Sequence, residues 1–354
     1  MPFKIIRNDI TKVRADAIVN TANPEPIVGR GTDSAIYMAA GEELLLAERK
    51  KIGPIQPGSA VSTPAFNLDA KYVIHTVGPA WIDGHHGERE TLHSCYRNSL
   101  ALATDLKCDS IAFPLIATGV YGFPKDEALN IALSEIGKFL LTHDMKVTMV
   151  VFDRKTMELS EDLVGGIEQF IDEHAAQAIH VEEYGGDVYE ARVREIRRRR
   201  AGLHPQNVDN RPDEIALHSI ELPPMQLPDL SGKDLDDVLG ETGKSFQQRL
   251  FELIDASGMD DVTVYKKANI DRKVFSRIRC KPDYKPKKKT AVAFAVALRL
   301  DLPTTLDLLS RAEIALSPSN RFDLIVTYFI TNKIYDIFEI NAALFKYGQP
   351  TLGD

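Results

Sequence analysis

Cysteine is scarce in this 354-residue chain, which contains three cysteines and one tryptophan. Cys95, Cys108 and Cys280 lie far apart in the sequence, which argues against a disulfide framework. The chain has no CxxC motif or Cys/His cluster that would suggest a structural metal site. We therefore predict a reducing, cytoplasmic location and expect no metal ion or cofactor.

Long apolar runs are missing as well. No run reaches about 18 apolar residues, the length at which a membrane-spanning helix is suspected. The opening residues, MPFKIIRNDITK, lack the apolar core and cleavage site of a signal peptide. No GxGxxG motif follows the first predicted strand and no Walker lysine accompanies a glycine-rich loop, which argues against an ordinary dinucleotide fold and a P-loop NTPase.

The charge of the chain is unevenly distributed. Its formal net charge of -8 argues against a general affinity for nucleic acid. Residues 241–317 nevertheless contain 15 Lys and Arg against 10 Asp and Glu, a local excess of positive charge. This asymmetry indicates two parts with different partners.

The first 175 residues alternate strand-like and helix-like segments. FKIIRNDI, DAIVN and SIAFPLIATG resemble strands, whereas PKDEALNIALSEIGKFLL has helical periodicity. TDSAIYMAAGEELLLAERKK is predicted to be one helix, with Ile36, Ala40, Leu44 and Ala47 on one face. The alternation predicts a largely parallel sheet with helices on both faces and a ligand site at the carboxyl ends of the strands.

The pattern changes near residue 176. We predict three segments: an α/β domain over 1–175, a linker over 176–242 and an all-helical domain over 243–354. The linker includes RVREIRRRR, with six arginines in nine residues. In the last segment, KKKTAVAFAVALRLDL is apolar nearly all round, which predicts a buried helix.

Two glycine-containing loops follow predicted strands. In NTANPEPIVGRGTDSAIY, Gly29 and Gly31 allow close approach to a ligand, and the Asn23 amide suits sugar hydroxyls. Asp33 either accepts from a hydroxyl, orients a water or steadies the helix that it opens. The second loop, IATGVYGFP, forms either a phosphate-binding nest or an ordinary turn. Two such loops beside polar groups suit a diphosphate-linked nucleotide.

Four segments resemble those of macrodomains, the ADP-ribose-binding fold: NDITKVRADAIVNTAN, GRGTDSAIYMAAG, YVIHTVGP and IATGVYGFP. They occur in that family's order and spacing, and the MacroD-type mono-ADP-ribosyl hydrolases are the branch they resemble most. The resemblance covers residues 1–175 and implies a three-layer α/β/α fold with a mixed, mostly parallel sheet. It also implies that Asn23 and Asp33 form a catalytic pair beside the distal ribose.

The resemblance further implies which residues bind ADP-ribose. Asp9 would receive the adenine amino group, and Phe152 would flank the adenine. Residues 118–122 would wrap the distal part of the diphosphate, and residues 28–32 the rest. The implied positions are Asp9, Ile10, Asn20, Val28, Gly29, Arg30, Gly31, Thr32, Thr118, Gly119, Val120, Tyr121, Gly122 and Phe152.

The chain departs from the family pattern at two positions. Arg30 interrupts a run of glycines, and its guanidinium either stays in solvent or reaches a phosphate. Tyr37 replaces a histidine that the hydrolases commonly carry, which bears on turnover more than on binding. His75 is a candidate general base, but its apolar neighbours favour a buried, hydrogen-bonded histidine. Trp81 is predicted to lie on a surface loop without a role.

The predicted reaction is hydrolysis at the anomeric carbon of the distal ribose, in mono-ADP-ribose or O-acyl-ADP-ribose esters. Asp33 and a ligand phosphate would orient the water, while Asn23 would hold the ribose hydroxyls. The alternative is a non-catalytic ADP-ribose reader coupled to a helical effector. A third possibility is a regulator that controls transcription in response to ADP-ribose.

VTVYKKANIDRKVFSRIRC resembles the helix-turn-helix of Xre/Cro-like proteins, within a helical core over 244–311. Asp271 is well placed as a helix N-cap. In that resemblance the second helix would contact DNA, with Arg272, Lys273, Ser276, Arg277 and Arg279 as its DNA-binding residues. Protein docking is the alternative, because charged faces are usually only solvated. The last helices, over 320–347, either pack on this domain or form a dimer.

Overall fold

The computed structural model describes residues 2–152, 159–172 and 243–353. The predicted linker, with its arginine-rich segment, lies outside the described residues. We call residues 2–172 the α/β unit and residues 243–353 the helical unit. Within these ranges no helix is both long and apolar enough to cross a bilayer.

The α/β unit is built on one six-stranded sheet. Its strands are β1 (Phe3–Arg7), β2 (Ala17–Thr21), β3 (Ala60–Pro64), β4 (Tyr72–Thr76), β5 (Ser110–Phe113) and β6 (Lys146–Val151). They lie in the order β1-β6-β5-β2-β4-β3. Every neighbouring pair is parallel except β3 and β4, which are antiparallel. The prediction of a mixed, mostly parallel sheet is confirmed.

Helices cover both faces of this sheet. They are α1 (Thr32–Ala40), α2 (Glu42–Ile52), α3 (Glu88–Asp105), α4 (Lys125–Thr142) and a helix over residues 161–172, which we call α5. Side chains alternate between the faces along each strand. On β2, Ile18 joins the cluster formed with α1 and α2, while Ala17 and Val19 join the cluster formed with α3 and α4. This alternation produces the predicted three layers.

The prediction of one continuous helix over the TDSAIYMAAGEELLLAERKK segment is wrong. The chain breaks at Gly41, whose φ of 99° is a backbone conformation that favours glycine. The break resets the buried face of the second helix. Leu45 and Arg49 are therefore buried, whereas Leu44, which was predicted to face inward, is 53% exposed.

The helical unit contains seven described helices. They are α6 (Phe246–Ser257), α7 (Asp261–Lys267), α8 (Arg272–Cys280), α9 (Lys288–Ala297), α10 (Leu302–Ser310), α11 (Arg321–Thr331) and α12 (Ile337–Lys346). The Asp271 side chain accepts from the Lys273 backbone N–H at 2.8 Å and caps α8, as the sequence predicted. Every side chain of α9 from Thr290 to Ala297 is buried, in agreement with its apolar sequence.

The two units pack against each other. The Asn269 amide accepts from the Phe3 backbone N–H and donates to the Phe3 carbonyl, both at 2.9 Å. The Phe338 ring packs edge-on against Phe3, with ring centroids 5.1 Å apart. Lys266 pairs with Asp144 at 3.2 Å. Because α12 packs on β1 and α4, the last helices join the two units within one chain.

Candidate functional site

Four parallel strands end side by side at one edge of the sheet. Across the sheet their order is β1, β6, β5 and β2. Asp9 follows β1, Phe152 follows β6, the loop 114–123 follows β5 and the loop 22–31 follows β2. The topology therefore brings the predicted ligand-binding residues from four separate parts of the sequence into one row.

The first end of this row lies beyond β1 and β6. The Asp9 carboxylate caps a 3₁₀ turn, Ile10–Lys12, and accepts from the Thr11 N–H at 3.0 Å and the Thr11 hydroxyl at 2.8 Å. Phe152 is 81% exposed, whereas Ile10 is buried. An exposed aromatic ring beside an anchored carboxylate provides a surface for a planar, hydrogen-bond-donating base.

The loop after β5 is a tight turn in the middle of the row. Ala117 and Gly122 both have a positive φ, of 64° and 65°. The Gly122 N–H donates to the Gly119 carbonyl at 3.0 Å, and the Phe123 N–H donates to the Ala117 carbonyl at 3.1 Å. Val120, at the tip, is 79% exposed. Thr118 and Tyr121 are half-buried within this loop.

Trp81 lies on a loop, as predicted, but it contacts the loop after β5, whereas the sequence assigned it no role. Its backbone N–H donates to the Tyr121 carbonyl at 2.8 Å. Its ring packs edge-on against Phe123 at 4.7 Å, and the Arg89 guanidinium lies 5.2 Å from the Trp81 ring. A sequence signal was available, because Trp81 follows β4 closely and β4 lies next to the strands that carry the site.

The loop after β2 brings Asn23 and Asp33 together around Gly29. A Cβ on Gly29 would lie 2.5 Å from Asn23 Nδ2 and 2.9 Å from Asp33 Oδ2. Only glycine fits between these side chains without moving them. Gly31 precedes α1 with a φ of 65°, so the loop turns sharply into the helix that carries Asp33. The predicted catalytic pair is thus adjacent in space.

The remaining residues of this loop complete the row. Arg30 and Gly31 are exposed, and Val28 packs against the cluster beneath α1. Thr32 is half-buried and is the first residue of α1.

Asp33 is a buried carboxylate with two hydrogen-bond donors. It is 2% exposed and accepts from Asn20 Nδ2 at 2.6 Å and from the Gly29 N–H at 2.5 Å. Burial raises its pKa above the ordinary value, and the bonds from Asn20 and Gly29 and the charge of Arg49 oppose that rise. These bonds tie the start of α1 to Asn20 of β2 and to the loop at Gly29.

Behind Asp33, Asn20 also contacts His75, with Asn20 Nδ2 3.1 Å from His75 Nδ1. His75 Nε2 lies 2.9 Å from Thr63 Oγ1. His75 is fully buried, and burial together with the Arg49 charge lowers its pKa to about 3, so the ring is neutral. The apolar neighbours of His75 in the sequence had favoured such a buried, hydrogen-bonded histidine over a general base.

Arg49 is a site residue that the sequence analysis missed. It is 1% exposed, and its Nη2 donates to the carbonyls of Asn23 at 3.3 Å and Pro24 at 3.0 Å. Its Nη1 donates to the Gly53 carbonyl. A buried cation thus holds the loop that carries Asn23 and places positive charge near Asp33. Arg49 lies one helical turn after the buried Leu45, on the same face of α2.

Tyr37 lies behind the site rather than in an open cleft. It is 1% exposed, and burial raises its pKa to about 12. Its ring centroid is 6.3 Å from that of His75. The position at which the sequence departs from the pattern of the hydrolases that it resembles is therefore buried, and it interacts electrostatically with Asp33.

Comparisons with known proteins identify the family of the α/β unit. The family model described as Macro domain matches residues 19–132. A macro domain-containing protein of Methanosarcina mazei is 49% identical over 147 residues, which are 42% of this chain and 78% of that protein. A Citrobacter rodentium protein named O-acetyl-ADP-ribose deacetylase is 46% identical over 165 residues, which are 45% of this chain and 93% of that protein.

Among solved structures, an Oceanobacillus iheyensis macrodomain with ADP is 40% identical, with a TM-score of 0.42, and the match covers 44% of this chain and 85% of that one. The identities and coverage of the relatives show that the chain belongs to the macrodomain family. The family match lies within the α/β unit.

Proposed function

We propose that this chain binds ADP-ribose and hydrolyses its mono-ADP-ribosyl or O-acyl esters. The observation that carries the proposal is the single row of Asp9, Phe152, the loop 114–123 and the Asn23–Asp33 pair. This row matches the chemical order of adenine, diphosphate and distal ribose. Relatives at 44–46% identity named O-acetyl-ADP-ribose deacetylase support the reaction class.

In the proposed reaction a water molecule attacks the anomeric carbon of the distal ribose. The bond from that carbon to the ester oxygen breaks, and the carboxylate leaves with the bonding electron pair. Asp33 accepts the proton of the water, a role for which its raised pKa suits it. Such general-base assistance contributes about 10²- to 10⁴-fold. Asn23 would orient the ribose, and the backbone amides of residues 118–122 would stabilise negative charge.

Two assays on the full chain test this proposal. Calorimetry with ADP-ribose measures binding, and release of label from a glutamate-ADP-ribosylated protein measures turnover. We expect Asp33→Asn to abolish most turnover while it still binds ADP-ribose, and the exposed control Asp162→Asn to behave as wild type. If the wild-type chain bound ADP-ribose but released no label, it would be a reader of ADP-ribose and not a hydrolase.

A second proposed function concerns α8, which we propose as a DNA-binding helix within a helix-turn-helix pair formed by α7 and α8. Arg272, Lys273, Ser276 and Arg277 are all exposed on α8. Arg272, Lys273 and Arg277 form no ion pair with any other described residue. Arg279 differs, because it pairs with Asp261 and lies 5.1 Å from the Phe251 ring. It therefore supports the packing of α8 more than it serves the exposed face.

Salt-dependent binding to duplex DNA tests this second proposal. Affinity should fall with salt, with a log–log slope of about -0.9 for each phosphate contacted. The double variant Lys273→Gln/Arg277→Gln should weaken binding and reduce the slope, whereas Lys50→Gln/Lys51→Gln on α2 removes the same charge elsewhere and should not. Lack of binding to any duplex would favour a protein partner for this face.

A further inference from the structure

The residues behind Asp33 form a continuous chain of hydrogen bonds. The strand register places Asn20 of β2 directly beside His75 of β4. It pairs Thr63 of β3 with Val73, two residues before His75 and on the same face of the sheet. The chain therefore runs Thr63, His75, Asn20, Asp33 across three neighbouring strands and into α1, and its last three members are fully or almost fully buried.

When Asp33 is ionised, the donors and acceptors of these hydrogen bonds can be assigned in only one way. A carboxylate can only accept, so the Asn20 amide must present its NH₂ group to Asp33. The same NH₂ group faces His75 Nδ1, which must then be the unprotonated acceptor of the ring. The proton of the neutral ring consequently lies on Nε2, and its partner there is the Thr63 hydroxyl.

In the alternative arrangement of donors and acceptors, Asp33 is protonated and therefore neutral. If His75 carried its proton on Nδ1, the Asn20 amide would turn to present its oxygen to His75. That oxygen would also face Asp33 Oδ1, and Asp33 would need a proton to donate. In the structure, Asn20 Oδ1 is buried and has no hydrogen-bond partner among the described residues. The Thr63 hydroxyl accepts from Nε2–H in the first arrangement and would donate to Nε2 in the second, so the ionised state of Asp33 selects the first. Without that hydroxyl, the buried Nε2–H of the first arrangement would have no acceptor there.

We propose that Thr63, His75 and Asn20 are positioning residues that fix the His75 tautomer and thereby keep Asp33 ionised and oriented for hydrolysis. This inference rests on the proposed function, because the charge of Asp33 matters for turnover. Thr63 is 3% exposed and lies on β3, away from the row of ligand-binding residues. A role for Thr63 in turnover would therefore act through His75 and Asn20.

Other titratable groups also face this pair. Arg49 on α2, Tyr37 on α1 and Tyr121 in the loop after β5 act electrostatically on or with Asp33. The Arg49 charge also reaches His75. A test of these hydrogen bonds must therefore leave Arg49, Tyr37 and Tyr121 intact and change only the hydrogen bond at His75 Nε2.

Thr63→Val and Thr63→Ser make a matched pair. Valine keeps the shape of threonine but removes the acceptor, whereas serine retains the hydroxyl. In Thr63→Val we expect the apparent pKa that limits kcat at low pH to rise by about one unit. At pH values below that pKa, kcat should therefore be about ten-fold lower than in the wild type. The affinity for ADP-ribose should be unchanged, and Thr63→Ser should restore the wild-type profile. Identical profiles for valine and serine would overturn the proposal.

A second measurement does not depend on turnover. Nitrogen-15 NMR of the histidine-labelled full chain reports which ring nitrogen of His75 carries the proton. We expect the Nε2–H tautomer in the wild type, and a loss of that preference in Thr63→Val. An Nδ1–H tautomer in the wild type would refute the inference. If the wild type releases no ADP-ribose, the proposed hydrolase function fails. The NMR result still decides whether the hydrogen bonds of Thr63 and Asn20 fix the His75 tautomer.

Discussion

At the scale of single residues, the site depends on a missing side chain. Gly29 lies between Asn23 and Asp33, and a methyl group there would lie within 3 Å of both side chains. We expect Gly29→Ala to separate the pair and to lower kcat by about 10²-fold, since misplacement of reacting groups by about 1 Å has effects of that size. Stopped-flow or discontinuous assays of ester hydrolysis measure this change.

The control for this variant is Gly165→Ala. Gly165 is exposed on α5, and a Cβ there would meet nothing within 4 Å. Its kcat should equal that of the wild type. An equally active Gly29→Ala would show that Asn23 and Asp33 need not be held this close.

Sequence reasoning located the residues that face the ligand better than the residues that support them. Asn23 and Asp33 are adjacent, as the resemblance implied, but their roles as catalytic residues stay a prediction. Arg49 was missed because it belongs to a run of charged residues, ERKK, that looks solvated. Only the break at Gly41 turns Arg49 inward, and a backbone break is not visible in side-chain periodicity.

At the scale of elements, the strands were predictable from the sequence because they are short apolar runs, and Gly or Pro bounds the segments that contain β3 and β4. The division of one predicted helix into α1 and α2 was not. Apolar spacing at Ile36, Ala40 and Leu44 fits a single helix as well as two, and the structure resolves this through the conformation of Gly41.

Gly41→Ala tests the importance of that break. The φ of 99° is strained for any L-residue, and the new Cβ would lie 3.1 Å from Asn67 Nδ2. We expect a loss of about 1–3 kcal/mol in the free energy of unfolding, the typical cost of such backbone strain. Urea unfolding followed by circular dichroism measures the loss. Stability equal to that of wild type would mean that α1 and α2 can fuse into one helix without cost.

At the scale of the whole molecule, the main result that sequence reasoning did not anticipate is the packing of the helical unit on the α/β unit. The hydrogen bonds between Asn269 and Phe3 join residues that are 266 positions apart. Neither residue carries a local signal for this pairing. The predicted boundaries at 175 and 243 remain predictions, because the hydrophobic core is continuous across both units.

Two substitutions at Asn269 measure how much this packing stabilises the protein. Asn269 has a φ of 52°, so alanine there loses both hydrogen bonds and also strains the backbone. Glycine loses the same hydrogen bonds without strain. We expect Asn269→Gly to lower the free energy of unfolding by about 1–3 kcal/mol, the usual cost of unpaired buried polar groups. Asn269→Ala should lower it further.

Calorimetry of the full chain measures both variants. If the units are coupled as described, the wild type should give a single unfolding transition, and the variants should broaden or divide it. Two well-separated transitions in the wild type would show that the units unfold independently.

The contact between Asn269 and Phe3 also has a consequence for how copies of this chain meet. An open strand at the rim of a sheet invites a second molecule to extend it, which is a common route to fibrils and swapped dimers. Here the start of β1 is occupied by a side-chain amide that imitates a neighbouring backbone. The opposite rim strand, β3, ends at Pro64, which has no N–H to offer. One end of each edge strand is therefore unable to pair with a further strand: the start of β1, where Asn269 bonds to Phe3, and the end of β3 at Pro64.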